Sequence, residues 1–210
     1  MKIINNPQRK DWNNILERPT KKVDDIETTV NQIFDDIKRN GDAAVNKYTQ
    51  LFDGVSLENT IVSEEEINEA INLVSDELKQ AIQLAKENIT KFHTAQKTDK
   101  VSVDTTAGVS CWQEKRPIQK VGLYIPGGTA PLFSTVLMLA MPAQIAGCKE
   151  IVLCSPPNKE GKIHPAILYT ANLCGVTKII KVGGIQAIAG YTFGTETIPQ
   201  VYKIFGPGNQ

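Results

Sequence analysis

Between Val121 and Phe205 the sequence alternates short apolar runs with longer ones, and glycine or proline stands at nearly every change. Val121 to Ile125 reads as a buried strand, Ser134 to Ala146 as a helix stopped by Gly147, and Ile151 to Cys154 as a second strand. His164-Pro165 opens a further helix, with proline in the favoured first position, and Gly175 closes it. Lys178 to Val182 is a third strand, Ile185 to Phe193 a helix, and Val201 to Phe205 a fourth strand. Strands that alternate with helices leave few choices: parallel strands joined by right-handed crossovers. Pro142 removes one internal hydrogen bond from the first of these helices and predicts a kink.

Before this region the pattern is helical. Ile26, Val30, Ile33, Phe34 and Ile37 recur at three- and four-residue steps. Asn40-Gly41 is expected to end that helix and Asp42 to cap a shorter one through Tyr48. Ser63-Glu64-Glu65-Glu66 has the form of a capping box. A long stripe follows from Ile67 to Phe92, with Ser75-Asp76 as a second cap, and the acidic start Glu64 to Glu66 reads as a solvated helix end. Val101 to Lys120 is rich in β-branched residues and predicts two extended segments separated near Arg116-Pro117. The expected architecture is α/β: a parallel Rossmann-like sheet with flanking helices, preceded by a helical N-terminal region. The division expected is 1–120, a helical arm plus the first extended segments of an α/β domain, and 121–210, the Rossmann-like domain, incomplete at its C-terminal end.

Charge and cysteine usage narrow the function classes. The 210 residues carry 23 Lys+Arg against 23 Asp+Glu, so no basic field is available for nucleic acid or an anionic membrane. The richest apolar stretch, Val136 to Gly147, is far short of a membrane span. Met1 to Trp12 is polar, without the apolar core of a signal peptide, and a cytoplasmic location is expected. Cys111, Cys148, Cys154 and Cys174 include no C-x-x-C pair, and His93 and His164 are the only histidines, so no zinc-ligand spacing appears. Three of the four sit at apolar strand or helix ends and read as small packed hydrophobes. His93 reads as a partly covered helical residue and His164 as a helix cap.

In a parallel sheet all carboxyl ends point to one edge, where ligands bind. Four loops there are marked: Tyr124-Ile125-Pro126-Gly127-Gly128-Thr129-Ala130-Pro131, Ser155-Pro156-Pro157, Gly183-Gly184-Ile185-Gln186 and Gly206-Pro207-Gly208-Asn209. Glycines let a ligand approach backbone amides, and helix starts favour anions. A single such pair is as well explained by a tight turn; four converging on one edge favour a cleft for a small molecule or nucleotide. Tyr124, Gln186 and Asn209 add an aromatic face and two neutral amides. G-x-G-x-x-G and the phosphate-loop motif are both absent, so spacing leaves the chemistry open.

The same loops resemble the signature stretches of the histidinol dehydrogenase family. The resemblance runs through Val121 to Pro131, Val182 to Ala189, Gly194-Thr195-Glu196-Thr197 and Gly206-Pro207-Gly208-Asn209. It extends into Gly41-Asp42-Ala43-Ala44-Val45, Phe52-Asp53-Gly54 and Phe92-His93-Thr94-Ala95-Gln96, from about Ile26 to Gln210. It implies a cytoplasmic homodimer with one zinc per active site that oxidises L-histidinol to L-histidine in two NAD-dependent steps, through an aldehyde, in histidine biosynthesis. It also implies dinucleotide contacts at Tyr124, Gln186 and Asn209. The family's zinc ligands, its glutamate–histidine pair and its substrate-binding serine fall beyond Gln210, so no catalytic and no metal residue is expected in this chain. Negligible activity is expected of it alone. A non-catalytic dinucleotide-binding or association module is the competing expectation, and an unrelated nucleotide-using α/β enzyme a third.

Overall fold

The structure is a computed structural model that describes residues 3–17, 24–128 and 130–208, without the side chains of residues 24 and 25. After a 3₁₀ turn at Arg9–Asp11 come α1 (Trp12–Leu16), α2 (Asp24–Asp53), α3 (Glu64–Leu73) and α4 (Asp76–Thr94). Then follow β1 (Val101–Thr106), β2 (Val109–Gln113), β3 (Lys120–Tyr124), α5 (Phe133–Ala146) and β4 (Glu150–Cys154). The remainder is α6 (Pro165–Leu173), β5 (Lys178–Ile180), α7 (Gly184–Phe193) and β6 (Lys203–Phe205).

The four-stranded sheet has the order β5-β4-β3-β6 and is parallel throughout, with Val121 opposite both Ile151 and Lys203. Alternation along each strand divides its side chains between two layers of helices, as a pleated strand must. Val121, Leu123, Ile151, Leu153 and Ile179 pack with α3, α4, α5 and α6. Val152, Cys154 and Ile180 pack with α2 and α7. On the second face Gly122 leaves room for the ring of Tyr191, whose hydroxyl lies 3.0 Å from the Leu123 carbonyl and 2.9 Å from that of Val152. The expected α/β class, with its helical N-terminal region, is the class observed. Pro142 lies within α5, and Gly147 ends that helix in the left-handed conformation.

As expected, one helical run ends at Gly41, which is non-helical with φ 51° and ψ −132°, and a second run follows it across a kink within α2. Three local expectations change. Asp42 is not a self-contained cap. Its amide donates to Glu196 Oε2 at 2.8 Å, while its Oδ1 accepts from the Thr197 hydroxyl at 3.0 Å. The first amide after the bend is thus satisfied by a loop far along the chain, which no local pattern reveals. On the outer side of the bend Asp36 accepts from Lys47 Nζ at 2.7 Å and from the Tyr48 hydroxyl at 2.9 Å.

The capping box at Ser63 forms as expected, with Glu66 N donating to Ser63 Oγ at 3.2 Å and Ser63 N to Glu66 Oε2 at 3.0 Å. Glu66 is not merely solvated, however. Its carboxylate also receives Lys181 Nζ at 3.0 and 3.1 Å, and Lys181 is buried just beyond β5. Finally, the two extended segments turn at Ala107-Gly108 rather than near Arg116-Pro117, and they pair with each other as an antiparallel ribbon. The ribbon's residues are all exposed, and its strands bond to no strand of the parallel sheet.

Candidate functional site

The connections set where a ligand can sit. β3, β4 and β5 advance in one direction across α5 and α6, on one face of the sheet. α7 then crosses the opposite face and returns the chain to the far side of β3. The direction therefore reverses between β3 and β6, and the crevice beyond the carboxyl ends at such a reversal is where open α/β sheets bind ligands. Tyr124 ends β3 at this point, and Gly206 follows β6. Asn209 lies outside the described residues.

Tyr124 and Gln186 are brought to the same edge, though not to equal depth. Tyr124 is half-buried on the α7 side, and its hydroxyl accepts from Gly184 N at 3.1 Å, an amide of the first turn of α7. Burial pushes the Tyr124 phenol above its ordinary pKa, so the hydroxyl keeps a proton to donate at neutral pH. Gln186 is fully buried. Its Nε2 donates to Asp53 Oδ2 over a long 3.4 Å, and its Oε1 has no partner among the described residues. Buried acceptors without partners are rare and call for an explanation such as a ligand or water.

Asp53 is the residue that sequence reasoning missed. It ends α2, far from the sheet in sequence, and only the packing of α2 against α7 brings it beside Gln186. The Phe52-Asp53-Gly54 turn was visible in the sequence, but nothing local tied it to this edge. Burial raises the Asp53 carboxyl pKa.

The marked loops have two different roles. A Cβ on Gly127 would lie 2.7 Å from Pro156 Cγ, and one on Gly183 would collide with the same proline. These two glycines let three loops close on Pro156; they do not clear space for a ligand. Gly128, with nothing within 4 Å of such a Cβ, borders the open side. There a cavity of about 500 Å³ lies between the loops after β3 and β4 and the start of α6, lined by Gly128, Pro131, Pro156, Lys162 and His164. Neither Tyr124 nor Gln186 lines it. The reversal of connections and the unpartnered amide mark the β3–β6 side as the better candidate for polar recognition. His164 acts as the helix cap read from the sequence, its Nδ1 accepting from Ala166 N at 3.1 Å. His93 Nδ1 is 2.8 Å from Gln96 Oε1, away from this edge. Among the described residues no three His, Cys, Asp or Glu side chains gather as a metal site.

The family model of histidinol dehydrogenase matches residues 16–210. A histidinol dehydrogenase of Bacteroides fragilis is 58% identical over 210 residues, all of this chain and 49% of the relative. That of Escherichia coli K12 is 53% identical over 208 residues, covering 95% of this chain and 47% of the relative. The crystal structure of histidinol dehydrogenase from Elizabethkingia anophelis superposes with a TM-score of 0.91 at 57% identity, over 98% of this chain and 47% of that one. The chain spans about half the length of the curated relatives it matches.

Proposed function

Because the chain belongs to the histidinol dehydrogenase family, we propose that it carries the dinucleotide-binding part of an NAD-dependent oxidation of L-histidinol to L-histidine through the aldehyde, a step of histidine biosynthesis. The observation that carries this reading is the unpartnered, fully buried Oε1 of Gln186 at the carboxyl edge of the sheet, in the helical turn whose Gly184 amide donates to the Tyr124 hydroxyl at the end of β3. A shift of the surrounding side chains would expose it to a ligand donor, and Tyr124 would offer its aromatic face and its proton to the same ligand. Asn209 completes the proposed contacts. When bound, NAD would accept hydride from the carbinol carbon; the residues of this chain bind and orient the dinucleotide, and none is assigned to proton transfer.

Zinc does not fit this chain. Its expected ligands have no counterpart here, and no donor cluster exists among the described residues, so no step is derived through the metal. Catalysis, zinc binding and L-histidinol recognition are assigned to the part of the relatives' length that this chain does not match. The proposed context is a cytoplasmic homodimer of the longer protein, acting on a small molecule and binding neither nucleic acid nor membrane. No helix among the described residues is long and apolar enough to cross a membrane.

The test is NADH formation from L-histidinol by the purified chain, alongside calorimetric titration with NAD. The expected result is NAD binding, weakened in Tyr124→Ala and Gln186→Ala, with no turnover. Turnover abolished by the same two substitutions would show that the chain is catalytically complete and overturn the assignment.

A further inference from the structure

Gln186 is fully buried, whereas Tyr124 and Asp53 near it are only half-buried. Asp53 Oδ2 is held by Gln186 Nε2, and no cation pairs with the carboxylate among the described residues. The ends of β3, β4 and β5 are Tyr124, Cys154 and Ile180, so the sheet itself contributes no acid there. The one carboxylate next to Gln186 arrives from α2.

We infer that Asp53 is a specificity residue of this edge: its carboxylate accepts the hydroxyl donors of an unphosphorylated ribose and turns away a phosphorylated one, so that the site takes NAD in preference to NADP. The inference rests on the dinucleotide reading of the same edge. An ionised carboxylate can only accept hydrogen bonds. The vicinal hydroxyls of a ribose supply donors, whereas a phosphate monoester brings acceptors and a charge of about −1.5 to −2. In a partly desolvated position with no counter-charge, that like-charge contact is only weakly screened. Burial raises the Asp53 pKa, as expected of a carboxylate short of water and of a cationic partner. Gln186 is then the positioning residue: its amide fixes one carboxylate oxygen and leaves the other free of hydrogen bonds among the described residues.

Calorimetric titration of the chain with NAD and with NADP tests this, using the wild type, Asp53→Asn and Asp53→Glu, each first checked for an unchanged melting curve. The wild type should bind NAD at least about tenfold more tightly than NADP, the size expected for one charge-assisted hydrogen bond. Asp53→Asn should bring that ratio to within about threefold, and Asp53→Glu, which keeps the charge, should retain most of it. A wild type that binds NAD without preferring it overturns the inference, as does a ratio unchanged in Asp53→Asn; both leave the dinucleotide reading standing. A folded wild type that binds neither molecule removes that reading together with the inference.

Discussion

Gly41 occupies a backbone conformation closed to other residues, with φ 51° and ψ −132°. A Cβ there would also stand 2.5 Å from Glu196 Oε2. Gly41→Ala therefore strains the backbone and displaces the carboxylate that satisfies the Asp42 amide, at a cost of about 1–3 kcal/mol. Urea unfolding of the two proteins measures it, and an unchanged midpoint would show that the bend is not required. On the outer side of the same bend, Asp36 is held at a pKa of about 2 by hydrogen bonds from Lys47, Asn40 and Tyr48. Since the folded pKa is below the unfolded one, the native state stabilises the ionised carboxylate. That stabilisation is fully present above the ordinary carboxyl value of 3.8 and is lost as the pH falls through about 2. Asp36→Asn should accordingly be less stable than the wild type at pH 6 and converge with it toward pH 2; parallel curves across that range would contradict the assignment.

At the scale of elements, the side chain that locks α3 to the sheet is Glu66. It closes the capping box with Ser63 and also neutralises Lys181, which is only 7% exposed. Glu66→Gln keeps the cap geometry but leaves a buried ammonium without its counter-charge, a change of about 3 kcal/mol. Lys181→Met should cost much less, and the double variant should recover most of the loss. A thermodynamic cycle built from the three unfolding energies checks this, and additive effects would mean that the two residues act independently. The cap was legible as Ser-x-x-Glu, because a capping box is local. The ion pair was not, because its second half lies beyond a strand more than a hundred residues away and neither segment carries a mark of the other. The same limit explains the ribbon. β-branched residues announce extended chain over Val101 to Lys120, and Arg116-Pro117 suggests the break between its segments, while the structure turns at Ala107-Gly108, where Gly108 takes a φ of 83°.

For the whole molecule, the alternation from Val121 onward specified parallel strands and flanking helices, since each element is encoded by its own short-range pattern. The neighbour of β3 on its second side was not encoded in that way. Only the crossing of α7 over the other face decides it, and with it the location of the candidate site and the approach of Asp53. The cysteines report on the integrity of this arrangement. Cys154 and Cys174 lie in the buried core with their thiol pKa values pushed up to about 12 and about 11 by desolvation, whereas Cys111 is exposed on the ribbon. A thiol reagent at mildly alkaline pH should label Cys111 rapidly, the half-buried Cys148 slowly, and the other two only with global unfolding. Early modification of Cys154 would show that the α2–α7 layer opens by itself. The strand order also bears on how such a chain is made. While a ribosome extends it, β3 can gain β4 soon after both emerge, but its other flank stays bare until α7 has been made and β6 follows. Throughout that interval a central strand presents an open hydrogen-bonding edge inside the cell, so protection by a chaperone, or a pause that lets α7 settle first, would matter more for this protein than for one whose strands pair in the order of synthesis.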